Sequence, residues 1–186
     1  MIHARPIPIT IRQANQADSA LLSHIGAEAF SDPFGADNTT HDMELYLRDS
    51  FSPEIQNAEL ADPSSFFLIA EVNRQPAGYA RLREGSPPAA VTGSRPIEIV
   101  RFYARTRWIG RGVGPALMHA CLEEAQARGC DTIWLDVWER NKRARAFYDK
   151  WGFKKVGTQP LRLGNDVQSD LIMQRPVSTT GRPNNS

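Results

Sequence analysis

The sequence predicts one α/β domain on a mixed, mostly antiparallel sheet, with about six or seven strands flanked by about four or five helices. Three observations predict it. Short apolar stretches with strand-like alternation recur from residue 9 to residue 176. Helix-spaced stretches stand between and before them. The strand–loop–helix–strand unit at 97–138 must be a right-handed parallel crossover, while the hairpin and the closing strands read as antiparallel. A chain of 186 residues with 41% apolar content suits a single domain, 1–175, with a polar tail over 176–186.

The elements follow in order. "ITIRQA" (9–14) alternates like a strand. "ADSALLSHIGAEAF" (17–30) has helical spacing, with Asp18 placed as N-cap. "SDPFGADNTT" (31–40) is rich in turn residues, and two helices follow over 41–51 and 52–62. "SFFLIAEV" (65–72) and "AGYARLRE" (77–84), with a turn near Asn73–Pro76, form a hairpin. Residues 85–96 are a loop and "IEIVRFYA" (97–104) is a strand. A helix then runs to about Arg128, with Gly129 closing it. Leu117, Met118, Cys121, Leu122 and Ala125 share one side of it, opposite His119, Glu123 and Gln126. "DTIWLDVW" (131–138) is a strand, 141–151 a helix stopped by Gly152, and 153–160 and 166–176 close the sheet.

Bulk properties remove several function classes. Net charge is +1, which marks no nucleic-acid binder. The start, "MIHARPIPIT", lacks the apolar core of a signal peptide, and no apolar run approaches a membrane span. The expectation is a cytoplasmic protein with no membrane partner. Cys121 and Cys130 form no CxxC pair and read as small buried thiols. His3, His24, His41 and His119 show no zinc-ligand spacing, so no metal is expected.

"WIGRGVGPALMHA" (108–120) sets Gly110, Gly112 and Gly114 at the doorstep of a helix. Glycine weakens a fold there unless the backbone bends sharply or a ligand comes close. A bare helix N-terminus attracts anions, phosphate above all. No GxxxxGK[ST] string exists, which excludes a P-loop. A dinucleotide fingerprint can be forced onto Gly110 and Gly112, with Asp136 as its acid. Pro115 then stands where its third small residue belongs, and the element order is not doubly wound.

The chain resembles the GNAT superfamily of acyl-CoA N-acyltransferases, nearest to polyamine-type bacterial members, over roughly residues 9–175. The family signature [R/Q]-x-x-G-x-[G/A] falls on Ile109-Gly110-Arg111-Gly112-Val113-Gly114. "ERNKRARAFYDKWGFKKVG" resembles the second signature through Asn141, Phe147, Tyr148, Gly152, Phe153 and Gly157. The departure is Ile109, where the family has Gln or Arg.

The resemblance implies acetyl-CoA as co-substrate. Amides from Ile109 to Gly114, Arg111 and Val113 included, would hold its pyrophosphate with the helix dipole. The backbone of Phe102, Tyr103 and Ala104 would pair with the pantetheine arm, and Asn141 would hydrogen-bond it or serve only as a helix N-cap. Tyr148 would protonate the departing thiolate, or else only pack with Ala144, Phe147 and Trp151. Glu98, which interrupts an apolar strand, is the candidate base, with water as its substitute and a salt bridge to Arg101 as the plain alternative.

Residues 28–62 carry nine acids and one base, Arg48, whereas bases outnumber acids from Arg101 onward. An acidic rim would draw a small cationic amine or polyamine, although a solvated acidic face reads equally well. The competing readings are a protein N-terminal or lysine acetyltransferase, a non-catalytic CoA-binding module, and a dinucleotide-binding domain. Monomer and homodimer both stay open.

Overall fold

The computed structural model describes residues 8–34, 40–163 and 166–177. Seven strands and five α-helices follow one another as β1 (Ile9–Gln13), α1 (Ser19–Phe34), α2 (Thr40–Phe51), α3 (Pro53–Ala61), β2 (Ser65–Val72), β3 (Gln75–Glu84), β4 (Pro96–Ala104), α4 (Val113–Ala127), β5 (Thr132–Trp138), α5 (Lys142–Lys150), β6 (Lys154–Leu163) and β7 (Asp166–Pro176). They make one sheet in the order β1-β2-β3-β4-β5-β7-β6. Every pairing is antiparallel except β4 with β5, the crossover that the 97–138 unit demanded.

Alternation along the strands sends side chains to two different layers. Ile97, Ile99, Ile133, Leu135 and Val137 meet Val113, Leu117, Met118 and Cys121 of α4, with Tyr148 of α5 and Phe153 beside them. Phe67, Ile69 and Tyr79 face the other way, onto Leu22 and Ile25 of α1. Trp138 joins Phe30, Met43 and Phe51 of the α1–α2 pair on that same side. The two cysteines are free and buried, as expected of small apolar thiols.

Several local expectations are corrected. Asn15, not Asp18, caps the first helical segment, accepting from Ala17 N–H. Asp18 completes a capping box by accepting from Asn15 N–H, and Arg12 locks it from β1 at 2.8 Å. Residues 31–34, read as turn, continue α1, and 35–39 lie outside the described residues. The hairpin turn is tighter than expected: Asn73 and Arg74 both take positive φ, the two-residue geometry whose twist suits antiparallel strands, and Gln75 already belongs to β3. The tail expected over 176–186 falls almost wholly outside the described residues.

Two features of the sheet place the site. Pairing of β4 with β5 begins at Pro96–Thr132 and ends at Ile99–Leu135. The register of β3 against β4 shifts at the same level, with Arg81 opposite Arg101 and Leu82 opposite Ile99. Such a bulge twists a strand away from its neighbour. Beyond Ile99 and Leu135 the central strands therefore part, and Val100–Ala104 have no strand partner on the β5 side.

Candidate active site

A cavity of about 750 Å³ occupies the gap between the parted strands. Its wall includes Phe102, Tyr103 and Ala104 of β4, Asp136, Val137 and Trp138 of β5, the glycine loop, and Asn141 and Tyr148 of α5. Because β4 and β5 separate inside the sheet, the space is bordered by residues of both faces. Tyr148 belongs to the α4–α5 layer and Trp138 to the α1–α2 layer.

The glycine loop is built as an anion-binding turn. A short 3-10 turn, Thr106–Trp108, ends at Ile109, whose N–H donates to Thr106 O. Gly110 and Gly112 then take φ of 74° and 92°, which side chains other than glycine rarely adopt. Gly112 is the N-cap of α4, and no side chain caps that helix. Its first-turn N–H groups thus lack an intrahelical partner at the positive end of a 15-residue helix. A Cβ on Gly110 would stand in open space, leaving room for a ligand against the backbone. These features fit a pyrophosphate.

Ile109, Gly110, Gly112 and Gly114 line the cavity, whereas two motif residues do not. Val113 is buried in the core and Arg111 is exposed, its guanidinium 5.7 Å from the Trp108 ring. Only their backbone groups are left to serve the loop, and the Arg111 N–H already donates to Trp108 O at 3.2 Å, against the expectation that it would hold the pyrophosphate. Asn141 caps α5, its Oδ1 accepting from Ala144 N–H at 3.1 Å, so its NH2 is the group left to offer a ligand.

Tyr148 is buried on the cavity wall, edge-on to Phe102 and Phe153. Burial first, and Cys121 second, push its phenol above the ordinary tyrosine range. It holds its proton at neutral pH and is a donor rather than a base.

Glu98 also lines the cavity and is salt-bridged, but its partner is Arg83 of β3 at 2.6 Å rather than the Arg101 that the plain alternative named. Arg101 lies four residues after Ile97 on a bulged strand and turns to Glu59 of α3, which Arg81 also grips. Glu28 of α1 is likewise engaged, by Arg105. Two acids of the expected acidic rim are therefore neutralised by ion pairs that clamp α1 and α3 to the sheet. The side chains of three others, Asp32, Asp37 and Asp42, lie outside the description.

Of two further cavity acids, the sequence reading missed Asp170 and named Asp136 only as the acid of a dinucleotide fingerprint. Asp136 is the first residue of β5 past the last pairing with β4, and Asp170 of β7 lies diagonally across from it, since Asp136 pairs with Ile172 and Trp138 with Asp170. Both line the cavity. Asp136 accepts from the Gln159 amide through Oδ2, while its Oδ1 and the Oδ1 of Asp170 are buried with no partner. Desolvation, then the neighbouring Asp170 and Glu98, raises the Asp136 carboxyl to about 7. Desolvation, then Glu139, raises Asp170 to about 6. The signal that singled out Glu98, an acid interrupting an apolar strand, was present in "TIWLDVW" and "SDLIM" as well. Among the described residues no group of His, Cys, Asp and Glu could hold a metal ion, and no helix is long and apolar enough to cross a membrane.

Residues 27–153 match the model of the acetyltransferase (GNAT) family. An uncharacterised N-acetyltransferase of Lactobacillus delbrueckii subsp. lactis is 30% identical over 91% of this chain and 98% of its own. An uncharacterised N-acetyltransferase of Mycobacterium tuberculosis is 36% identical over 63% of this chain and 71% of its own. Among solved structures, the PaiA N-acetyltransferase of Thermoplasma acidophilum in complex with coenzyme A superposes with a TM-score of 0.73. It covers 91% of this chain and 99% of its own at 21% identity, a likeness of fold.

Proposed function

The chain belongs to the acetyltransferase (GNAT) family, and on that premise we propose that it transfers the acetyl group of acetyl-CoA to the primary amine of a small cationic acceptor of the polyamine class. The supporting observation is the single cavity that joins the glycine loop, Tyr148 and an acidic floor through the gap between β4 and β5. The donor enters from the α4–α5 face. Amides of Gly110 and Gly112–Gly114 hold its pyrophosphate, those of Ile109 and Arg111 being already donated to Thr106 O and Trp108 O, and the β5-facing side of the Phe102–Ala104 backbone holds its extended arm. Asn141 adds a side-chain amide from the facing strand end. The acceptor enters from the α1–α2 face.

Attack of the amine nitrogen on the thioester carbonyl forms the N–C bond as the C–S bond breaks. Tyr148, kept protonated by its burial, donates to the leaving sulfur. Glu98 or water is the base that the sequence offered. One acetyl-transfer domain over residues 1–175, working in the cytoplasm as a monomer or homodimer without metal, nucleic acid or membrane, completes the reading.

The test is thiol release from acetyl-CoA across polyamines, amino acids, aminoglycosides and peptides. Turnover with polyamines well above that with peptides supports the proposal. Preference for a peptide N-terminus or lysine overturns it in favour of a protein acetyltransferase. Acetyl-CoA binding without turnover on any amine indicates a non-catalytic module.

A further inference from the structure

Three carboxyls meet where β4 and β5 part, and they are not equivalent. Glu98 is tied to Arg83 through two guanidinium nitrogens, at 2.6 and 3.1 Å. Asp136 and Asp170 have no cation: among the described residues neither forms an ion pair. Asp170 is 9% exposed, lines the cavity and leaves Oδ1 without a hydrogen bond. Asp136 leaves its own Oδ1 free at the point where the strands separate. Burying an acid without a partner is costly, and two such acids side by side cost more. A fold keeps such an arrangement when the missing partner is a ligand.

We infer that Asp136, not Glu98, takes the proton of the acceptor amine, and that Asp170 binds a second cationic group of the same acceptor, which is therefore a diamine or longer polyamine. This rests on the acetyl-transfer reading above and adds to it the base and the acceptor's charge. The groups facing the pair are Glu98 with its Arg83 across β4, Gln159 on β6, Glu139 just after β5 and Tyr46 on α2. Arg162 of β6 shares the cavity without pairing to either acid.

The acceptor's two ammonium groups dock on the two carboxylates, the reacting one on Asp136 and the second on Asp170. The reacting group gives one proton to Asp136 Oδ1, which frees the nitrogen lone pair for the N–C bond. The nitrogen loses two protons in all. One leaves through Asp136 to solvent, and the other replaces the proton that Tyr148 gives to sulfur. A carboxyl raised to about 7 is a stronger base than an ordinary aspartate and is ionised in mildly alkaline solution. Glu98, already neutralised by Arg83, has less to offer an ammonium.

The experiment compares the parent chain with Asp136→Asn, Asp170→Asn and Glu98→Gln, using 1,4-diaminobutane and n-butylamine as acceptors. Calorimetry at pH 8 reads acceptor binding, and thiol release from acetyl-CoA reads turnover from pH 5.5 to 9. The parent should bind the diamine about tenfold more tightly than the monoamine. Asp170→Asn should erase that preference and leave the monoamine within about twofold. Asp136→Asn should lower kcat by about 10²–10³ and remove the limb that rises through pH 7, whereas Glu98→Gln keeps a limb and moves it to lower pH, because Glu98 is one of the charges that raise Asp136.

A limb lost in Glu98→Gln and kept in Asp136→Asn overturns the assignment of the base. Equal affinity of the parent for the two amines overturns the second cation site. The broader reading fails in a different place: the parent then binds no acetyl-CoA, or releases no thiol with any amine of the wider panel.

Discussion

The two ends of the cavity solve opposite electrostatic problems by different means. At the proposed donor end, negative charge would be received by backbone: Gly110 and Gly112 at positive φ, an uncapped α4 and the β5-facing edge of β4. At the proposed acceptor end, positive charge would be received by side chains of two strands, Asp136 and Asp170, with Glu98 beside them already held by Arg83. Backbone amides cost little to leave waiting at a helix terminus, where water can reach them. Buried carboxyls wait at a cost, visible in the raised positions of Asp136 and Asp170.

The largest effect should come where the two ends meet. Tyr148→Phe removes the hydroxyl and keeps the ring among Phe102, Phe147 and Phe153. Single-turnover acetyl transfer should fall by about 10²–10⁴ with acetyl-CoA affinity and melting temperature held. A normal rate with a shifted melting temperature would make Tyr148 a packing residue alone.

Next comes the donor end by itself. Gly112→Asp sets a carboxylate into the loop, and acetyl-CoA affinity by calorimetry should fall at least about 100-fold. The substitution is also strained, because Gly112 has φ of 92° and a Cβ there would lie 3.3 Å from Ile9 Cδ1. A melting temperature about 2–4 °C lower should accompany it. Gly114→Asp separates charge from strain, since Gly114 is helical and a Cβ there only reaches contact with Phe147 at 3.4 Å. Its affinity should fall while its melting temperature holds. Unchanged affinity in both variants would remove the loop from the donor site.

The same contrast explains what could be read from the sequence. The donor end lies within a few consecutive residues, so its glycines, its helix and the spacing to Asn141 and Tyr148 were legible in "WIGRGVGPALMHA" and "NKRARAFYDKWGF". The strands were legible too, because each alternates over its own length. The acceptor end depends on register. That Asp136 faces Asp170 follows from β7 inserting between β5 and β6, and that Glu98 meets Arg83 follows from the β3–β4 register. Glu28 and Glu59 counted as rim acids until the fold brought Arg105, Arg81 and Arg101 to them.

A smaller effect tests the acceptor end through stability rather than turnover. The folded Asp136 carboxyl titrates near 7, above the roughly 4 of an unfolded chain, so the folded state holds the extra proton between those values. Stability contributed by this group is then fully present below about pH 4 and is lost as pH rises through 7. Asp136→Asn removes the charge that causes the loss. It should melt a few degrees above the parent at pH 8 and level with it at pH 4.5, the gain kept to about 1–2 kcal/mol by solvent reaching the site. A variant that melts below the parent at pH 8 would mean that the carboxylate has a cationic partner.

The smallest effect is expected where this chain departs from its family. Ile109 stands at the first position of the motif that the sequence resembles, where that motif has Gln or Arg, and the question is whether the proposed donor end lost anything by it. The residue lies half-buried on the cavity wall, and its N–H is fixed to Thr106 O at 3.2 Å. The amides proposed to face the phosphate are those of Gly110 and Gly112–Gly114, and the turn that carries them is set by the two positive φ angles rather than by the Ile109 side chain. Positive charge is also at hand nearby: Arg107 and Arg111 flank the Trp108 ring at 5.6 and 5.7 Å. Ile109→Gln should therefore change acetyl-CoA affinity and turnover by less than about tenfold, a single neutral hydrogen bond being worth about 1 kcal/mol. Arg107→Ala with Arg111→Ala should weaken acetyl-CoA binding more than Ile109→Gln strengthens it, and the difference should shrink as salt is raised, because exposed charges are screened. A gain far beyond tenfold in Ile109→Gln would show that backbone alone does not hold the pyrophosphate, and the division of labour between the two ends would fail at the donor end.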